Sequence, residues 1–247
     1  DIFIDSFSDL VSDKFNSRVQ KFLDDFKVNE LLEREGLTLS ETVFCLQHTR
    51  VVQRKRIDFA LRFCFELLKK KRQTGKHTKA LYFLVSGHSS DKKLKARLKR
   101  LYGKLKKEYK EDKLFFVFAE DFDKKTDLKF EEYPRIFAKL RGVGTYFSEI
   151  EGYGNNLLEM LASGLIPIVY TYPVFKKDIE KYNFKIIDQD TFEVDSEVVN
   201  KTIDILKNDR KRKLWVNRNL KIIRKHFLED VMAFKLKRSI IRRRVHH

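Results

Sequence analysis

From Thr42 onward, short apolar runs alternate with longer amphipathic stretches. The runs at 42–48, 79–85, 114–119, 143–147, 166–170 and 183–187 are brief and apolar, which predicts buried strands. Between them the period lengthens. Over 56–70, Ile57, Ala60, Leu61, Cys64, Leu67 and Leu68 recur at helical spacing, and over 91–110 Leu94, Leu98, Leu101 and Leu105 follow at intervals of 4, 3 and 4. Shorter helices are predicted at 132–140, through Tyr133, Ile136, Phe137 and Leu140, and at 155–163. Residues 195–245 read as mostly helical, and Phe15, Val19, Phe22, Leu23 and Phe26 predict a further helix near 14–27. Strand alternating with helix at this spacing implies an α/β fold: a Rossmann-like parallel sheet with helices on both faces. Ligands of such sheets bind beyond the carboxyl ends of the strands.

Composition narrows the class. With 247 residues, 42% of them hydrophobic and 22 of them Phe, the chain can bury a substantial core. Mean hydropathy is negative, and no stretch approaches the length of a membrane span. The start, at Asp1 rather than Met, carries no signal-peptide pattern and reads as a trimmed terminus. Residues 246–247, the terminal His-His, read as a purification-tag remnant. Cys45 and Cys64, the two cysteines, read as buried free thiols of a reducing compartment, and no Cys/His cluster has zinc spacing.

The net charge of +17 raises a nucleic-acid or membrane hypothesis. Residues 69–110 carry 16 Lys/Arg against 2 Asp/Glu, and residues 201–247 carry 16 against 4, so the rest of the chain is net acidic. No helix-turn-helix, zinc-finger or RNA-recognition pattern accompanies the charge. The alternative function class is therefore a basic nucleic-acid- or anionic-membrane-binding module without catalysis.

The segment Glu151-Gly-Tyr-Gly-Asn-Asn-Leu-Leu-Glu159 bears most on chemistry. It reads as a glycine loop opening a helix, followed by Gly164-Leu-Ile-Pro-Ile-Val169, an apolar strand. Gly152 and Gly154 permit unusual dihedrals and close approach of a ligand to the backbone. Asn155 or Asn156 is placed to cap the helix, whose first amides and dipole favour an anion. Asn155, Glu159 and Ser163 share one helix face. From spacing alone, the alternative is a plain loop-to-helix junction with a solvated glutamate.

This segment resembles the motif of retaining glycosyltransferases of the GT-B type, family 4. Its members carry E-G-[FY]-G-x4-E and then G-x-P-[IV]-V, matched here by EGYGNNLLE and GLIPIV. They also place Arg-x4-Lys after the first strand of the nucleotide-binding domain, matched by Arg50 and Lys55 after the strand at 42–48. The resemblance covers about 200 residues and implies the C-terminal half of a GT-B fold. Residues 41–245 become a nucleotide-sugar-binding domain with C-terminal helices, and 1–40 a linker region with N-terminal decoration. A preceding acceptor-binding domain is missing from this chain, so the fragment is expected to be inactive alone.

The resemblance further implies that a UDP-, GDP- or ADP-sugar lies with its diphosphate against Arg50, Lys55 and the backbone of Gly152, Tyr153, Gly154, Asn155 and Asn156. Glu159 would then bind the ribose, and Glu151 would be the catalytic group beside the sugar. Two fixed cations and a helix terminus neutralise the departing diphosphate. The family generally uses no metal or other cofactor. A cytoplasmic enzyme is expected, with peripheral contact to an anionic membrane because acceptors are often membrane-bound. Tyr172-Pro-Val-Phe175 resembles transferases acting on small sugar-glycerate acceptors. Arg54 and Arg56 are expected to face solvent or cap a helix.

Other constellations weigh less. His88, in Ser86-Gly-His88-Ser, ends the second strand and is either a loop histidine or a nucleotide contact; His48, beside Arg50, is equally open. Asp188-Gln-Asp190 reads as a polar turn after a strand at 183–187. Asp121 to Glu132 has the length of a calcium loop, but lysines at 124 and 125 and Thr126 in place of the turn glycine reject it. Gly142-Val-Gly144 precedes a strand, unlike a dinucleotide fingerprint.

Overall fold

The protein is described by a computed structural model over residues 15–74 and 77–227. Six strands form one wholly parallel sheet: β1 (Thr42–Gln47), β2 (Ala80–Val85), β3 (Leu114–Phe118), β4 (Val143–Tyr146), β5 (Ile166–Tyr170) and β6 (Ile187–Gln189). Their spatial order is β3-β2-β1-β4-β5-β6. Thr42 pairs with Ala80 on one side of β1, and Cys45 with Val143 on the other. Every residue of β1, β2 and β4 is buried, as a parallel sheet covered on both faces requires.

Eight α-helices are described. They are α1 (Asn16–Asp25), α2 (Val28–Arg34), α3 (Ile57–Thr74), α4 (Lys92–Tyr109), α5 (Tyr133–Lys139), α6 (Asn155–Ala162), α7 (Ser196–Lys207) and α8 (Asp209–His226). On one face α3 lies between α4 and α7; the other face carries α1, α5, α6 and α8. Being flanked on both sides and backed by the sheet, α3 buries Phe59, Phe63 and Phe65 beyond its expected apolar stripe. In α4, Leu94, Leu98 and Leu105 are buried with the lysines outside. Several of those cations are paired: Lys95 bonds Glu120 and Asp121, and Lys99 bonds Asp121. Asp121 is thus an ion-pair partner at the end of β3.

Within the 1–40 stretch, α1 and α2 send Phe22, Leu23, Phe26, Val28 and Leu32 into the common core. Phe22 meets the Tyr82 ring edge-on at 6.1 Å, Phe26 stacks on Phe122 at 4.6 Å, and the Arg18 guanidinium forks onto Glu132 with two bonds of 2.7 Å. The helical expectation for 195–245 is met through His226; the remainder, with the 246–247 tag reading, lies outside the described residues.

The sixth strand corrects the expected 183–187. Asn183 turns the chain with φ 56°, and the Asn219 side chain takes both backbone groups of Lys185, accepting from its N–H at 2.7 Å and donating to its C=O at 2.9 Å. That pairing with a side chain distant in the sequence keeps 183–186 out of the ladder. Asp188-Gln189 are therefore strand residues, not a turn, and Asp190 accepts a hydrogen bond from Thr171.

Lys71 is the costly exception in α3. It is only 7% exposed. Burial, helped by the nearby Lys207 charge, pushes its ammonium down to about 8. A folded pKa below the unfolded 10.5 means that stability falls as pH drops from 10.5 to about 8 and is level below that. Lys71→Met is therefore expected to stabilise the protein by about 1 kcal/mol at pH 7, with the advantage fading between pH 8 and 10.5. Urea denaturation of both proteins at pH 7 and 10 reads this directly; a variant less stable than the parent at pH 7 contradicts it.

Candidate active site

In the strand order, β1 and β4 are neighbours, although the chain leaves β1 toward one edge and β4 toward the other. At such a reversal the two loops diverge and open a crevice at the carboxyl ends of the strands. Residues 48–56 leave β1 there, and residues 147–154 leave β4. The reversal brings together the two segments singled out in the sequence.

The rim is stitched on both sides. Val51 N–H donates to the His88 carbonyl at 3.0 Å, and Ser89 N–H to Glu120 at 2.7 Å, joining the ends of β1, β2 and β3. Gly87 is required here, because a Cβ would lie 2.4 Å from the Thr49 carbonyl oxygen. Across the crevice, three consecutive cations reach the β4 loop. Arg54 donates to the Ile150 carbonyl and lies 3.1 Å from Glu151, Lys55 bonds Glu151, and Arg56 bonds Glu149 at 2.7 Å. Arg56 also stacks over the Phe192 ring at 4.1 Å. The expectation that Arg54 and Arg56 face solvent or cap a helix holds in part: the Arg54 side chain is 41% exposed, and the Arg56 carbonyl accepts the first bonds of α3, but both side chains also hold the opposing loop.

Lys55 and Glu151 are the pair at the centre, with side chains 7% and 9% exposed. Burial pushes the Lys55 ammonium down, and Glu151 only partly restores it. Burial raises the Glu151 carboxyl, but Lys55, with Ser148 and Arg54, outweighs this and leaves it below the usual carboxylate range. Each group is the other's principal ion-pair partner. Arg50 is exposed at the start of the same loop, and its charge adds to the depression of Lys55.

Helix α6 begins at Gly154, which has φ +85°. A Cβ there would lie 2.3 Å from the Tyr172 hydroxyl, so glycine is required twice over. No such demand falls on Gly152, around which the chain leaves open space. The expected asparagine cap is absent. The first intrahelical bonds run from Leu157 and Leu158 N–H to the Gly154 carbonyl, leaving the amides of Asn155 and Asn156 without helical acceptors. Asn156 instead donates its side-chain amide to the His48 carbonyl at 2.8 Å, pinning α6 to the end of β1. Ser163 follows at i+4, its N–H on the Glu159 carbonyl at 3.0 Å, but its side chain is fully buried while that of Glu159 is partly exposed.

Glu159 lies one turn into α6 and is 39% exposed. Behind it lies His48, a residue the sequence left open. The imidazole is wholly buried, its Nε2 3.0 Å from Glu159 Oε2 and its Nδ1 2.9 Å from Ser86 Oγ. Phe130 stacks on the ring at 4.0 Å. Burial holds this imidazole below its usual range despite the carboxylate. A polar residue ending an otherwise apolar strand was the one available signal for it.

The other residues spread along the rim. His88 is exposed beside Asp123 at 3.3 Å, on the β2 side. Tyr153 is 38% exposed, its ring 6.3 Å from that of Phe227. A cavity of about 300 Å³ follows α6 from Asn155 past Glu159 to Ala162 and is walled by Leu158, Ile223 and Phe227, with Glu131 at its edge. Among the described residues, no cluster of three or more His, Cys, Asp or Glu is placed to hold a metal, and no helix is long and apolar enough to cross a membrane.

Removing one partner of the buried pair strands the other charge. Lys55→Met and Glu151→Leu are each expected to cost about 2–4 kcal/mol, and the double variant clearly less than their sum. Denaturant melts of the four proteins give the coupling; additive losses would mean that the pair is not coupled.

The comparisons bear on this arrangement. No family model matches the chain. It is 28% identical over 180 residues to a mannosylglucosylglycerate synthase of Petrotoga mobilis, covering 67% of this chain and 39% of that protein. It is 26% identical over 227 residues to the enzyme of the same name from Thermotoga maritima, covering 81% and 50%. The chain thus spans half or less of the length of these curated relatives. Among solved structures, the C-terminal domain of a glycosyl transferase group 1 family protein from Francisella tularensis superposes with a TM-score of 0.53 at 14% identity, over 81% of this chain and 92% of that one. Staphylococcus aureus TarM, solved with UDP, gives 0.55 at 15% identity, over 81% and 35%. These two curated relatives and two structural neighbours are glycosyltransferases, and the Rossmann-like fold seen here matches that of GT-B members among them.

Proposed function

We propose that this chain is the donor-binding half of a retaining, family 4 glycosyltransferase that moves a sugar from a nucleotide-diphosphate sugar to an acceptor hydroxyl. The observation that carries the reading is the convergence of Lys55, Glu151 and the start of α6 at the β1/β4 crevice, with Glu159 one turn along the helix. The sugar transfer by its relatives and the UDP held by its structural neighbour TarM support it.

In this reading the diphosphate lies over the α6 amides and Arg50, the ribose at Glu159, and the base farther along the cavity against Leu158 and Ala162. An arriving diphosphate competes with Glu151 for Lys55, which frees the carboxylate to face the sugar. When the anomeric C–O bond breaks, its electron pair passes to the diphosphate, and the cations and the helix terminus stabilise that charge. Those groups suffice for a metal-free departure. Glu151 stabilises oxocarbenium character at the anomeric carbon, as carboxylates do in glycoside hydrolysis. The name of the relatives and the Tyr172–Phe175 segment favour a small sugar-glycerate acceptor. The acceptor hydroxyl is positioned by a domain outside this chain, so transfer requires that domain.

Calorimetry with UDP, GDP and ADP tests the reading. One of them is expected to bind, Glu159→Ala to weaken it by about 1–3 kcal/mol, and Arg50→Ala to weaken it as well. Lys99→Ala, distant and paired with Asp121, is expected to change nothing. Equal losses from Lys99 and Arg50 would favour generic charge attraction over a diphosphate site. Activity of the longer protein that disappears in EDTA would overturn the metal-free departure.

A further inference from the structure

We infer that His48 is a positioning residue that makes this site select ribose over 2′-deoxyribose; the inference rests on the nucleotide reading above. A half-exposed glutamate on a helix ordinarily samples several rotamers, and a ligand must bear the entropy of ordering it. Glu159 is ordered in advance. One carboxylate oxygen, Oε2, is held by the imidazole, and the other remains for a ligand in the cavity. Its backbone is fixed as well, because Asn156, on the same turn of α6, bonds the His48 carbonyl. Strand β1 therefore grips the helix at two points.

Hydrogen-bond roles follow from chemistry. An ionised carboxylate only accepts, so Nε2 carries the proton. In the neutral ring Nδ1 must then accept, and the donor is the Ser86 hydroxyl at 2.9 Å. Stacking by Phe130 at 18° fixes the plane of the imidazole, and the contacts of its two nitrogens with Ser86 and Glu159 set its orientation within that plane. The relay Ser86–His48–Glu159 orients the carboxylate without cancelling its charge, because the neutral ring contributes a dipole.

A fixed anionic acceptor discriminates more strongly than a mobile one. When the ligand has both ribose hydroxyls, the free oxygen is satisfied. When the 2′-hydroxyl is absent, a held carboxylate cannot swing into water to recover the lost bond. Once His48 is gone the carboxylate can swing, and the penalty against the deoxy ligand fades.

The experiment measures dissociation constants for UDP, GDP and ADP and their 2′-deoxy counterparts, with inorganic pyrophosphate as a ligand lacking the ribose. The parent protein is expected to prefer the ribonucleotide by about tenfold or more. His48→Phe, which keeps a ring under Phe130, is expected to reduce that preference to about twofold while leaving pyrophosphate affinity unchanged. His48→Gln, whose amide still donates, is expected to restore most of it. Ser86→Ala, which removes the donor to Nδ1, is expected to lower it about threefold, and serves if His48→Phe fails to fold. Full retention of the preference in the folded variants overturns the inference and leaves the nucleotide site standing. Loss of pyrophosphate and nucleotide affinity together makes His48 merely structural, which also overturns it. Failure of the parent protein to bind any of the three nucleotides overturns the nucleotide reading and the inference with it.

Discussion

The site depends on one topological constraint: β1 and β4 lie side by side while the chain departs from them in opposite directions. Crossover connections carry the first three strands to one edge of the sheet and the last three to the other. Only at the junction do two strand ends face each other without a helix filling the space between. The basic loop after Gln47 and the glycine loop after Tyr146 are about 100 positions apart in the chain, yet they share that gap. A shift of either strand by one place in the order would separate Lys55 from Glu151.

Electrostatics then closes the gap on itself. Three successive cations of the β1 loop are spent on the carboxylates and carbonyl of the β4 loop. A buried ion pair contributes less to stability than its Coulomb energy suggests, since both charges leave water. Its value here is positional, because it holds the two loops at a set distance. In the function proposed above, a dianionic ligand exchanges into this pair. The rim is therefore self-neutralised rather than an open patch of positive charge.

Helix α6 joins the backbone constraint to this chemistry. Gly154 lets the chain turn in the left-handed region above the Tyr172 hydroxyl, so the helix starts within the crevice. Asn156 and Glu159 then dock it on the carbonyl and imidazole of His48. The same few residues thus position the free amides and fix the carboxylate beside them.

Much of the fold was legible because it rests on local periodicity. The apolar runs marked five strands almost to the residue, and Leu94, Leu98 and Leu105 marked the inner face of α4. The sixth strand was misplaced because Asn219, far along the chain, captures Lys185, and no window around 183–187 contains that partner. For the site, the sequence by itself determined which residue types were available and at what spacing: Arg50 and Lys55 after one strand, and Glu151 and Glu159 around a glycine turn. Pairing was decided only by the tertiary structure. It assigned Lys55 to Glu151, set Arg54 and Arg56 onto the opposing loop, moved Asn156 from helix cap to a bond with the end of β1, and placed a buried His48 behind Glu159. The reason is physical. Spacing reports what one turn or one strand presents, whereas desolvation and charge pairing depend on which distant loops the sheet brings together.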